Sequence, residues 1–146
     1  MKKKLMALLI ATVVCVVPVN AQIAQCGRFV FNIPDEYEGG KNNYFSNKEK
    51  GGIGFKELTL GKEYQTEDEY KELLESYIQA ATKGCYDYTT TYYVRDDIHF
   101  IKTRYSKDDD IWLTAVVASD SSAITIHGLN ECADFDEIVD SAFLIK

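Results

Sequence analysis

The sequence predicts an α+β domain. An antiparallel β-sheet of about six to seven strands is covered by two amphipathic helices, an αβα-sandwich-like arrangement. Three observations carry that prediction. Residues 66–84 and 134–143 each repeat apolar side chains at helical spacing. Between them, four stretches of strand-forming residues are joined by short polar connections, as antiparallel hairpins are. Near the start, "GRFVFNIP" puts Phe29, Phe31 and Ile33 on one face of a strand that Pro34 stops.

The elements follow in order. After the first strand, "DEYEGGKNN" reads as loop by composition. A short strand over residues 44–46 turns through residues 48–52 into a second strand from Ile53. Ile53, Phe55 and Glu57 share one face there, and Leu58 and Leu60 the other, so a bulge or the strand's end is expected. In the first helix, Thr66 and Glu69 make a capping box, each side chain satisfying a free backbone N–H. Tyr70, Leu73, Leu74, Tyr77, Ile78 and Ala81 form its apolar stripe, and Gly84 suits the position after its end. Strands are predicted over residues 86–94, 98–105, 111–119 and 123–127. In the closing helix Phe135, Ile138, Val139, Ala142 and Phe143 form the stripe, and Asp134 can cap with Glu137. Leu74, Ile78, Ile138 and Phe143 are the expected deep core.

The chain opens "MKKKLMALLIATVVCVVPVNAQ". A lysine-rich start, an apolar run and the small residues of Val19-Asn20-Ala21 read as a secretory signal peptide over residues 1–21. The apolar run is shorter than the roughly 20 residues a membrane helix needs. Residues 22–146 are then one exported domain, secreted or periplasmic, with no membrane span. The 16 basic residues include Lys2, Lys3 and Lys4, so the mature part carries 13 against 23 acidic ones, a net charge of −10. Such a surface repels nucleic acid and anionic lipid.

Cys26, Cys85 and Cys132 survive cleavage, and in an oxidising compartment two should pair. Tracing the meander up and down brings Cys85 and Cys132 to one end, each beside a helix terminus on what should be one layer. Their bridge is expected, and Cys26 is the spare: free, lipidated or joined to another chain. Cys26 with Cys132 is the competing pair.

"GCYDYTTTYYVRDD" places four tyrosines in one predicted strand. Tyr86, Tyr88, Thr90, Tyr92 and Val94 alternate onto one face, and tyrosine suits a partly wet core margin. The second reading is a stacking surface for a flat ligand, with Tyr93, Trp112 and Tyr105 as the candidate set. Other chemistry is thin. Asp108-Asp109-Asp110 lacks the alternating oxygen spacing of a calcium loop and reads as a solvated turn. His99 and His127 fall on strands separated by a third, too far apart for one zinc ion. "GGIG" is too short for a phosphate cradle. No catalytic residue, metal site or cofactor is expected.

"FVFNIPDEYE", a helix after two more strands, an antiparallel meander and "FDEIVDSAF" together resemble the PsbP-like family. The last stretch is similar to that family's "F..I..SF" ending through Phe135, Ile138, Ser141 and Phe143, with Ala142 before the final Phe. The resemblance implies an αβα sandwich serving as an accessory, assembly or binding protein, generally without catalysis. It carries over no functional residue, and reads Phe135, Ile138 and Phe143 as core. The functional expectation is therefore an exported, non-catalytic accessory or binding protein whose partner is a protein, peptide or glycan. A carbohydrate- or peptide-binding module using an aromatic sheet face is the alternative. A hydrolase with no visible site comes third.

Overall fold

The computed structural model describes residues 21–60, 63–64 and 66–145. Of the expected signal peptide only Ala21 lies within that range. The described residues hold ten strands and two α-helices. β1 (Ala21–Cys26) and β2 (Phe29–Pro34) form a hairpin, with Gly27 at φ 59 in the first position of its two-residue loop. A side chain is strained at that φ, which is why glycine stands there. β3 (Glu38–Gly39), a 3₁₀ turn (Lys41–Asn43), β4 (Tyr44–Asn47) and β5 (Gly51–Leu58) come next. Helix α1 (Glu67–Ala81) leads into β6 (Tyr86–Arg95), β7 (Ile98–Lys107), β8 (Asp110–Ser119) and β9 (Ser122–Leu129). Helix α2 (Phe135–Asp140) and β10 (Phe143–Leu144) end the chain.

The strands make two antiparallel sheets, one of seven strands ordered β3-β4-β5-β9-β8-β7-β6 and one of three ordered β1-β2-β10. The meander closes on aspartates. Asp96 and Asp97 (φ 53 and 63), and Asp108 and Asp109 (φ 53 and 66), fill the two central positions of their turns. Aspartate tolerates this left-handed backbone, and the resulting turns match the strand twist.

Helix α1 packs on one face of the large sheet. The capping box holds its start: the Glu69 N–H donates to the Thr66 hydroxyl, and the Thr66 N–H to the Glu69 carboxylate. Its buried stripe of Tyr70, Leu74 and Ile78 meets Ile101, Val116, Ala118 and Ala123. The opposite face carries the larger core. There Phe29, Phe31 and Ile33 of β2 and Phe135, Ile138 and Val139 of α2 meet Phe55, Phe100, Val117, Ile124 and Ile126. The expected two-helix cover is thus revised: α1 covers one face, and the small sheet together with α2 covers the other.

Other expectations are resolved or corrected for physical reasons. Of the two alternatives for β5 the strand's end holds: it pairs with β9 in unbroken register from Gly52 and stops at Leu58, without a bulge. It is a two-sided strand, sending Phe55 into one core and Leu58 toward α1. Helix α2 stops at Asp140, so Phe143 stands not in a helical core stripe but on β10, opposite Val30 and 47% exposed. Arg95 explains the stop, donating to the backbone carbonyls of Asp140 (2.8 Å) and Ala142 (2.7 Å). Asp134 does not cap α2; its carboxylate accepts from the hydroxyl of buried Tyr37 at 2.9 Å.

The cysteine topology changes with the layers. Cys26, Cys85 and Cys132 are all free. Cys132 is buried in the core beneath the small sheet, whereas Cys85 follows α1 on the other side. The expected bridge assumed one helical layer, and the helices occupy two.

Candidate functional site

The tyrosine strand β6 is an edge of the seven-stranded sheet. Its register with β7 slips between Tyr86 and Thr89, so Asp87 and Tyr88 together stand opposite Tyr105. This bulge puts Tyr86 on the same face as Thr89, the face of α2, and away from Thr90 and Tyr92. The expected row of alternating tyrosines is broken there. Tyr86 and Tyr88 are 51% and 57% exposed, while Tyr92 packs against the α1 cluster.

The candidate stacking set is divided by the sheet. Tyr105 and Trp112 are cross-strand partners on the α1 face. Tyr105 is buried and Trp112 is 37% exposed. Tyr93 is paired with Phe100 on the opposite face, its ring stacked on that phenylalanine at 4.6 Å.

Around Tyr93 the structure assembles a polar cluster. The Tyr93 hydroxyl donates to the Asp140 carboxylate. Lys102 places its ammonium 3.1 Å from Asp140 and 3.3 Å from Asp136, and 5.2 Å from the Tyr93 ring centroid. The two aspartates lie four residues apart, one helical turn, and so share a side of α2. Two residues along β7, Arg104 pairs with Glu131 at 3.1 Å. Beside them opens a cleft of about 530 Å³, lined among others by Thr89, Thr91, Arg104, Leu113, Phe135 and Asp136. Its floor is strand and its wall is the segment leading into α2.

Each cation in this cleft is matched by a carboxylate. Such an arrangement presents oriented donors and acceptors, with Leu113 and Phe135 supplying apolar contact. Burial pushes the nearby Cys132 thiol above its ordinary value, against its contact with the Tyr37 hydroxyl, and so disfavours the thiolate. Among the described residues no group of three or more histidine, cysteine or carboxylate side chains is placed to hold a metal ion. None of the described helices is long and apolar enough to cross a membrane.

Lys102, Arg104, Glu131, Asp136 and Asp140 do not stand out in the sequence. The available signals were the alternation of Lys102 and Arg104 along one strand face and the four-residue spacing of Asp136 and Asp140.

A seven-stranded antiparallel sheet with α1 on one face, and a small sheet with α2 on the other, is a PsbP-like fold. The solution structure of cyanobacterial PsbP (CyanoP) from Synechocystis sp. PCC 6803 is similar to this chain with a TM-score of 0.53 and 12% identity, over 94% of this chain and 98% of that one. No family model matches the sequence, and no curated protein does. The likeness is one of fold.

Proposed function

We propose that this chain is an exported, non-catalytic accessory or binding protein that holds its partner at the α2 face, beside the β6 edge. The observation that carries this reading is the cleft of about 530 Å³ in which Lys102 and Arg104 are both already neutralised by carboxylates. Paired charges suit recognition, where they fix register, better than acid–base work, which needs a group free to gain or lose a proton. The PsbP-like fold supports an accessory role by analogy.

A peptide and glycan array, probed with purified protein and with Lys102→Glu, tests the reading. Peptides should be retained by the protein, released by Lys102→Glu, and recovered with unchanged mass. Cleavage of a bound peptide, or retention indifferent to Lys102, would overturn it. A second reading has its own support, because Tyr105 and Trp112 stand opposite each other on the α1 face. Trp112 is the only tryptophan. A glycan stacked there would shift the intrinsic fluorescence and leave Lys102→Glu without effect. Export carries its own check: N-terminal sequencing of the exported chain should give Gln22 first.

A further inference from the structure

We propose that β6 is the docking edge for an extended, lysine- or arginine-bearing segment of a partner protein, which adds to the large sheet as an eighth strand. This rests on the reading of the chain as a binding protein, and specifies the ligand and how it is held.

The backbone comes first. β6 ends the strand order, so one of its sides has no neighbouring strand among the described residues. Asp96 and Asp97 form a two-residue turn with both φ positive, which makes Arg95 and Ile98 a hydrogen-bonded pair. Alternation along an antiparallel ladder then turns the backbone groups of Tyr93, Thr91 and Thr89 toward β7. The Thr89 carbonyl accordingly accepts from Thr103 on β7. Val94, Tyr92 and Thr90 point their N–H and C=O groups outward.

The side chains leave this edge open. Proteins usually guard an edge strand with a lysine, a proline, a bulge or a covering element. Here "YTTTYYV", residues 88–94, holds no charge and no proline. The bulge at Asp87 and Tyr88 guards only the near end, and Arg95 the far end. Threonine, tyrosine and valine between them favour strand pairing.

Charge selects the occupant. On the α1 side, the Lys71 ammonium lies 5.6 Å from the Tyr92 ring centroid. Glu67 and Glu75, one turn either way, share that side with Asp68 beside them, and their charges are felt at the Tyr92 hydroxyl. On the other side stand Asp136 and Asp140 with Lys102. Arg95 is taken by Asp96, and Arg104 by Glu131. Five carboxylates therefore flank the edge against Lys71 and Lys102. Alternate side chains of an added strand fall toward α1 and toward α2, so cations on either face meet carboxylates. A second copy of this acidic chain would bring like flanks together, which disfavours self-pairing.

The test uses purified ¹⁵N-labelled protein and a short blocked peptide alternating lysine with valine and threonine. Saturable binding should shift and slow the exchange of the amides of Thr90, Tyr92 and Val94. A glutamate-for-lysine peptide, and one N-methylated at its pairing amides, should each bind at least about tenfold more weakly. Thr90→Pro removes an outward N–H that none of the described strands uses, so it should fold and lose binding. If that variant unfolds, Thr90→Lys guards the same edge by charge and should weaken the lysine peptide equally. Binding that ignores N-methylation and Thr90 would overturn strand addition while leaving the Lys102 array result intact. No binding of the lysine peptide would overturn the charge assignment. Self-association in sedimentation that Thr90→Lys abolishes would give the edge to a second copy instead.

Discussion

The imidazole Nδ1 of His99 lies 2.8 Å from the hydroxyl of Tyr92, a hydrogen bond across the β6–β7 pair. The same ring is stacked on Tyr70 of α1 at 4.1 Å, with planes 12° apart. His99 thereby ties the edge strand to the helix.

Burial lowers the His99 pKa, against the opposing charges of Glu67 and Asp97. The unfolded chain therefore takes up a proton near pH 6.5 that the folded one resists. Stability should be complete above about pH 6.5 and fall as the pH drops below it. Urea midpoints measured across that range should show the fall, and His99→Phe, which keeps a ring beside Tyr70, should reduce the slope. An identical slope in the variant would remove His99 as its source.

Leu74 is fully buried between α1 and the sheet. Leu74→Ala should cost about 2–5 kcal/mol through lost transfer energy and the cavity left behind. Glu72→Ala, on the exposed face of α1, should change stability by no more than about 0.5 kcal/mol. The same comparison separates Ile138 from Phe143 at the end of the chain. Ile138→Ala should again cost about 2–5 kcal/mol, and Phe143→Ala about 1 kcal/mol or less. Equal losses would return Phe143 to the core.

Gly128 on β9 has no room for a side chain. A Cβ there would lie 2.7 Å from the Phe135 ring and 3.0 Å from the Leu113 Cβ. Gly128→Ala should destabilise by about 1–3 kcal/mol, since one contact is an aromatic ring held in the core. Thermal melts of the two proteins measure it directly.

The thiols should react at two rates. Cys85 is partly exposed, whereas Cys26 and Cys132 are buried. Burial also pushes the Cys26 and Cys132 thiols above their ordinary values, which leaves less thiolate. One equivalent of a maleimide should label Cys85 in the native protein, and the other two only in denaturant. Non-reducing peptide mapping should find no bridge between Cys85 and Cys132.

Helix α1 was legible because all its determinants are local: a capping box, a stripe and a charged face within one stretch. The meander was legible for the same reason, two of its turns being marked by paired aspartates and the third by Asp120-Ser121. β1 was not, since Ala24 and Cys26 are small buried residues that give little alternation and Ile23 points outward. The end of α2 was hidden because its helical spacing continues through Ala142 and Phe143. What stops it is Arg95, far back in the chain, and the pairing of Phe143 with Val30. The cleft is non-local in the same way, joining β6, β7 and the approach to α2. The tyrosine row failed at one extra residue, because a bulge reverses the facing of everything beyond it.

The small sheet joins segments 117 residues apart in sequence, Arg28 and Ile145. β10 pairs with β2, and the Ile145 N–H donates to the Arg28 carbonyl at 2.7 Å. A polypeptide made or threaded from its amino end leaves that side of β2 without its strand until residues 143–145 emerge. Completion of the small sheet thus waits for residues 143–145, and a product truncated before Phe143 would keep an open edge on β2.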